Sequence, residues 1–177
     1  ALQCVAGGVD AAVAMPPAAN IVTRAADKSM RYDMVGVLSF VLSSIVGTRP
    51  EAIKMAPVVL ECARRGEQIK PIICFTGQHD EMLRQVTDYF GIHPDVDLKV
   101  MSAGQSLAQL TARCLTSLDE LVAKEEPSCL IAQGDTTSVL AASIVAFYRH
   151  LPFVHVEAGL RTGNLQQPWP EEFNRRV

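Results

Sequence analysis

From about residue 38 the apolar positions follow a repeating order. Short, nearly unbroken apolar runs alternate with longer stretches in which apolar residues return every three or four positions. The runs at about 38–46, 70–75, 128–133 and 152–156 predict strands, with a weaker strand near 97–100. Near-continuous apolar strands suit a parallel sheet covered on both faces. The stretches at about 50–65, 79–90, 106–125 and 137–150 predict amphipathic helices. In 106–125, Leu107, Leu110, Leu115, Leu118 and Leu121 mark one face and Ser106 is the expected N-cap. Pro50 suits a first helical turn, whereas Pro57 predicts a kink or local break. Gly91 is placed to end the helix before it.

This alternation is the order of an α/β fold with a doubly wound, mostly parallel, Rossmann-like sheet. Right-handed crossovers carry the C-terminal end of every strand to one edge. The segments Gly47-Thr48-Arg49, Thr76-Gly77-Gln78-His79, Gln133-Gly134-Asp135-Thr136-Thr137 and Glu157-Ala158-Gly159 each follow a predicted strand. They are therefore expected to line one crevice.

Bulk properties narrow the picture. The chain has 177 residues, 49% of them hydrophobic, enough for one globular domain with a sizeable core. A net charge of −3 and 6% aromatic residues give no footing for nucleic acid, although local arginines can hold anions. The cysteines Cys4, Cys62, Cys74, Cys114 and Cys129 are odd in number and lack a Cys-x-x-Cys spacing, so they read as buried free thiols in a reducing compartment. The apolar run Met34–Val46 is too short to span a bilayer, which takes about 20 residues, and it leads straight into a strand-to-helix turn. It reads as a first core strand. Residues 1–33 are alanine-rich and aperiodic and are expected to be a poorly ordered leader, with 34–177 as the domain.

Candidate chemistry gathers in the strand-following loops. Arg49, at the start of a helix, either attracts an anion such as a diphosphate or pairs with a carboxylate such as Glu51. Asp135 is either a helix cap or a crevice carboxylate. Glu157, at the mouth of an apolar strand, is expected to have a raised pKa suited to acid–base work, unless it pairs with Arg161. If the last two strands are neighbours, Asp135 and Glu157 emerge about 5 Å or a little more apart, close enough to share protons or divide roles. Pro170, Glu171 and Glu172 resemble a helix first turn, or else the prolines hold Glu171 toward the crevice. His155 reads as a core histidine, and His79 stands in a strand-following loop. No His, Cys or carboxylate cluster has metal-ligand spacing.

Five segments stand in the order found in bacterial non-hydrolysing UDP-N-acetylglucosamine 2-epimerases. They are Gly-Thr-Arg-Pro-Glu-Ala-Ile-Lys at 47–54, Gly-Gln-His at 77–79, Gly-Asp-Thr-Thr-Ser at 134–138, His-Val-Glu-Ala-Gly-Leu-Arg-Thr-Gly at 155–163 and Pro-Trp-Pro-Glu-Glu-x-Asn-Arg at 168–175. The chain resembles that family from about residue 38 onward. The resemblance implies one half of a GT-B-type fold, with the site in the cleft between two Rossmann-like halves. It implies interconversion of UDP-GlcNAc and UDP-ManNAc: the sugar C2 proton is removed, UDP is eliminated and then added back with a proton on the other face. It also implies no metal or redox cofactor, a cytoplasmic homodimer, and no membrane or nucleic-acid partner. By motif, Asp135, Glu157 and Glu171 resemble the catalytic carboxylates. Arg49, Lys54, Gln78, His79 and Arg161 resemble substrate-binding residues. Gln78 matches a second, activating sugar-nucleotide site, but Glu81 and Gly104 depart from it.

The family continues into a second half where this sequence stops, so the 177 residues are expected to be an N-terminal half with little or no activity alone. A hydrolysing or uronic-acid-type sugar-nucleotide epimerase is the nearest alternative, and a non-catalytic sugar-nucleotide-binding fragment is the alternative from another class.

Overall fold

The structure is a computed structural model that describes residues 2–5, 31–32, 38–66, 68–77 and 80–177. Its sheet is built around β3 (Leu38–Val46), flanked in parallel by β4 (Ile69–Phe75) on one side and β6 (Cys129–Gln133) on the other. Beyond β4 lies β5 (Val96–Asp97), and beyond β6 lies β7 (Phe153–Val156), both parallel. The parallel order β7-β6-β3-β4-β5 reverses direction between β3 and β6. Ligands of open α/β sheets sit at such a reversal, outside the carboxyl ends of the strands.

The helices that return each crossover are α1 (Arg49–Arg64), α2 (Asp80–Phe90), α3 (Leu107–Glu125) and α4 (Thr137–Tyr148), with a short α5 (Glu171–Asn174) near the end. Alternate strand residues feed two cores. Val46, Phe75, Cys129, Ile131 and Val154 pack with Met55 and Cys62 of α1 and Leu83 of α2. Ile45, Cys74, Leu130, Ala132 and Phe153 pack on the opposite face with α3 and α4. All five β6 positions are buried, as a central strand covered on both faces requires. Within β3, the hydroxyls of Ser43 and Ser44 are buried without a hydrogen-bond partner among the described residues.

The predicted elements hold, with local corrections. Ser106 caps α3: its hydroxyl accepts from Gln109 N–H at 3.2 Å, while Gln109 Oε1 accepts from Ser106 N–H at 2.8 Å. The buried stripe of α3 is Leu110, Cys114, Leu118, Leu121 and Val122, whereas Leu107 is exposed. Gly91 ends α2 at φ +64°, a left-handed conformation that glycine adopts without steric cost. Pro57 does not break α1, which runs through it. Pro57 is exposed, so the carbonyl its missing N–H leaves unbonded faces the wet side of the helix. The weak strand falls at Val96–Asp97, earlier than expected, and Lys99 turns the chain away at φ +49°.

Two short strands fall within residues 1–33. Leu2–Val5 forms β1, antiparallel to β7 with Leu2 opposite Val156, and Arg31–Tyr32 forms β2, antiparallel to the start of β3. An open edge of unpaired N–H and C=O groups on β7 supplies the reason a short strand can add there. The rest of 1–33 lies outside the described residues. Cys62, Cys74 and Cys114 are buried free thiols, as expected, and Cys129 is buried with its thiol donating to the Leu130 carbonyl at 3.3 Å. Among the described residues no helix is long and apolar enough to cross a membrane.

Candidate active site

At the carboxyl edge of the sheet, the loops after β3, β4, β6 and β7 come together. Thr76, after β4, shares a buried 2.9 Å hydrogen bond with Ser138 at the start of α4. Glu51, in the first turn of α1, is 2% exposed and accepts N–H groups from Gly47 at 2.5 Å and Thr48 at 3.2 Å. Burial pushes its pKa up, against the pull of these donors and of the neighbouring Thr136 hydroxyl. Glu51 thus takes up two of the N–H groups at the mouth of α1. Arg49 is not its partner and stands exposed at the head of the helix.

Glu157 follows β7 with φ at +64°, unusual for a residue with a side chain. Its Oε2 accepts from both Lys54 Nζ of α1 and Gln133 Nε2 at the end of β6. The lysine beside it holds its carboxyl below the usual 4.5, the reverse of the expected rise. The cause of the difference is geometric. The side chain is about a third exposed rather than sunk in the strand, and it meets a cation from another element. Arg161, the alternative partner, instead donates to the carbonyls of Ala158 (2.6 Å), Leu160 (2.7 Å) and Arg175 (2.9 Å), clamping the loop after β7.

Asp135 follows β6, and β6 and β7 are indeed neighbours, with Gln133 opposite Val156. The Asp135 carboxylate pairs with Arg175, and Asn174 Nδ2 donates to its backbone carbonyl at 2.8 Å. The two crevice carboxylates therefore carry separate cations. Glu171 is half-buried in the first turn of α5 and lies one helical turn before Arg175, on the same face. Its neighbour Glu172 has the opposite task. It is 0% exposed and accepts the N–H groups of Thr162 (2.9 Å) and Gly163 (3.1 Å) and Arg176 Nε (3.2 Å). The Thr162 N–H above all keeps its pKa low. His155 is half-buried and donates Nε2–H to Gly134 O at 2.5 Å, as a satisfied core histidine should. Burial lowers its pKa.

Gln78 and His79 lie outside the described residues. The structure pairs Lys54 with Glu157 and Arg175 with Asp135, and sets Glu171 on the element whose Asn174 reaches the Asp135 carbonyl. Sequence reasoning named Gln133 and Glu172 only as members of their segments and assigned no site role to them, to Asn174 or to Arg175. Only Arg175 carried a signal, its four-residue spacing from Glu171. Among the described residues no group of three His, Cys, Asp or Glu side chains could hold a metal ion.

A mostly parallel, doubly wound sheet with two carboxylate–cation pairs on its carboxyl edge defines an α/β protein of the Rossmann-like class. A family model described as UDP-N-acetylglucosamine 2-epimerase matches residues 46–177, and the chain belongs to that family. The UDP-N-acetylglucosamine 2-epimerase of Neisseria meningitidis is 49% identical over 134 residues, covering 76% of this chain and 36% of the relative. That of Escherichia coli K12 is 50% identical, covering 76% and 35%. The solved N. meningitidis enzyme bound to UDP-GlcNAc superposes with a TM-score of 0.73 at 48% identity, covering 77% of this chain and 37% of that one. The Methanocaldococcus jannaschii enzyme in complex with UDP-GlcNAc and UDP gives 0.70 at 32% identity, covering 77% and 37%. The chain thus spans about a third of the length of the relatives it matches.

Proposed function

We propose that this chain forms one wall of the active site of an isomerase that interconverts UDP-GlcNAc and UDP-ManNAc by inverting C2 of the sugar. The observation that carries the reading is the placing of Asp135 and Glu157 just after the adjacent parallel strands β6 and β7, each with its own cation, on the carboxyl edge beside the switch point. Epimerisation by elimination needs a base for the C2 proton, an acid that returns a proton to the other face, and positive charge for the departing diphosphate. Asp135, Glu157 and Glu171 supply the carboxylates, and Arg49 and Lys54 supply charge at the head of α1. Gln78, His79 and Arg161 complete the substrate-binding set. The complexes of the N. meningitidis and M. jannaschii relatives with UDP-GlcNAc support the substrate class.

In this reading residues 34–177 are an N-terminal Rossmann-like domain, and a second α/β half contributes the uridine contacts. The full-length enzyme is a cytoplasmic homodimer that feeds cell-envelope polysaccharide synthesis and needs no metal or redox cofactor. The 177 residues alone are expected to convert little or no UDP-GlcNAc. Joined to the C-terminal two-thirds of a relative, they are expected to regain turnover. Glu157→Gln and Asp135→Asn should then each lower it by about 100-fold or more. Full turnover by the 177 residues alone would refute the half-site reading, and undiminished turnover in both variants would refute the carboxylate roles.

A further inference from the structure

Gln133 is the last residue of β6, preceded by Leu130, Ile131 and Ala132, and is 2% exposed. A primary amide buried at the end of an apolar strand costs free energy unless it is hydrogen-bonded. Its Nε2 donates to Glu157 Oε2, the same oxygen that Lys54 Nζ reaches from α1. A carboxylate only accepts, so the amide must turn its nitrogen toward Glu157. Two donors converging on Oε2 hold the side chain in one orientation and leave Oε1 without a donor among the described residues. They do so on a backbone held at φ +64°, a conformation that residues with side chains rarely adopt.

We propose that Gln133 is a positioning residue: with Lys54 it locks Glu157 so that Oε1 is the oxygen presented to a ligand in the crevice. Division of labour follows from the chemistry of the two donors. Lys54 supplies charge but sits on a long, half-exposed side chain. Gln133 is neutral and enclosed, so it fixes direction. The charged groups that act on Glu157 are Lys54 of α1 and, at longer range, Arg175 after α5. The inference rests on the reading of Glu157 as a site carboxylate, but its test reads no turnover.

Carbon-13 carboxyl resonances of the 177-residue chain are followed against pH, the Glu157 signal being identified by its loss in Glu157→Gln. In Gln133→Met the Glu157 midpoint is expected to rise by roughly half a unit to one unit, with other carboxylates unmoved. In the unmutated chain the side-chain amide protons of Gln133 are expected to titrate with the same midpoint as Glu157, a measurement that needs no variant to fold. Amide shifts that stay flat through the Glu157 titration, or an unmoved midpoint in folded Gln133→Met, would overturn the proposal. A catalytic role for Glu157 would stand untouched by either result. Conversely, a coupled titration with undiminished turnover in Glu157→Gln would leave the positioning intact and remove its catalytic purpose.

Discussion

Glu51 is enclosed where α1 begins, and its second oxygen, Oε1, and the neighbouring buried Thr136 Oγ1, although close enough for the hydroxyl to pull on the carboxyl, make no well-aligned hydrogen bond among the described residues. Its pKa is raised above the ordinary 4.5 by burial. A raised folded-state pKa means that the folded chain keeps this proton to higher pH than the unfolded chain. The contribution to stability is complete below the ordinary value and is lost as pH rises through the folded one. Glutamine has no proton to lose and can donate to Thr136. Glu51→Gln is therefore expected to gain stability relative to the unmutated chain progressively over the pH range above the ordinary carboxylate value of 4.5. Urea midpoints of both proteins across that range check this, and a constant difference would contradict it. The shift of Glu157 goes the other way, and its residue type alone could not reveal the sign. Position after an apolar strand suggested desolvation, but the sign depends on whether a cation arrives from elsewhere. Lys54 arrives from 103 residues earlier in the chain.

Element boundaries were close to legible because they are set by local chemistry. Ser106 and Gln109 sit three apart before an apolar stripe, and the reciprocal bonds of a capping box follow. Ser106→Ala removes the acceptor for Gln109 N–H and should lower stability by about 1 kcal/mol. A smaller denaturation midpoint with an unchanged slope is the expected result, and an unchanged midpoint would deny the cap any weight. Where local rules failed, something beyond the element intervened. Pro57 was expected to disrupt α1, but Ala52, Met55, Ala56, Val59 and Cys62 bury one continuous face, and packing outweighs one lost hydrogen bond. The same holds for α5, which is too short to stand alone. It is tied down by Glu172 to the loop before it and by Asn174 to the carbonyl of Asp135.

At the scale of the whole molecule, two cores on opposite faces of one sheet enclose Cys62, Cys74, Cys114 and Cys129. Burial pushes the Cys74 thiol up to about 12, so it holds almost no thiolate near neutral pH. These four thiols are expected to resist a thiol-specific reagent in the native chain and to react fully in denaturant. Rapid native reaction of more than one of the five cysteines would show that the cores open. By itself the sequence determined the fold class, the order of elements and the edge on which the candidate site lies, because hydrophobic period and crossover handedness are properties of the chain read locally. It also placed Asp135, Glu157 and Glu171 near that edge. Which of its charges meet was decided only by the tertiary structure. Arg175 reaches Asp135, Lys54 and Gln133 share one oxygen of Glu157, and Glu172 rather than Glu171 is sealed inside. Pairing of this kind depends on distances across the sheet, and such distances exist only once the strands lie side by side.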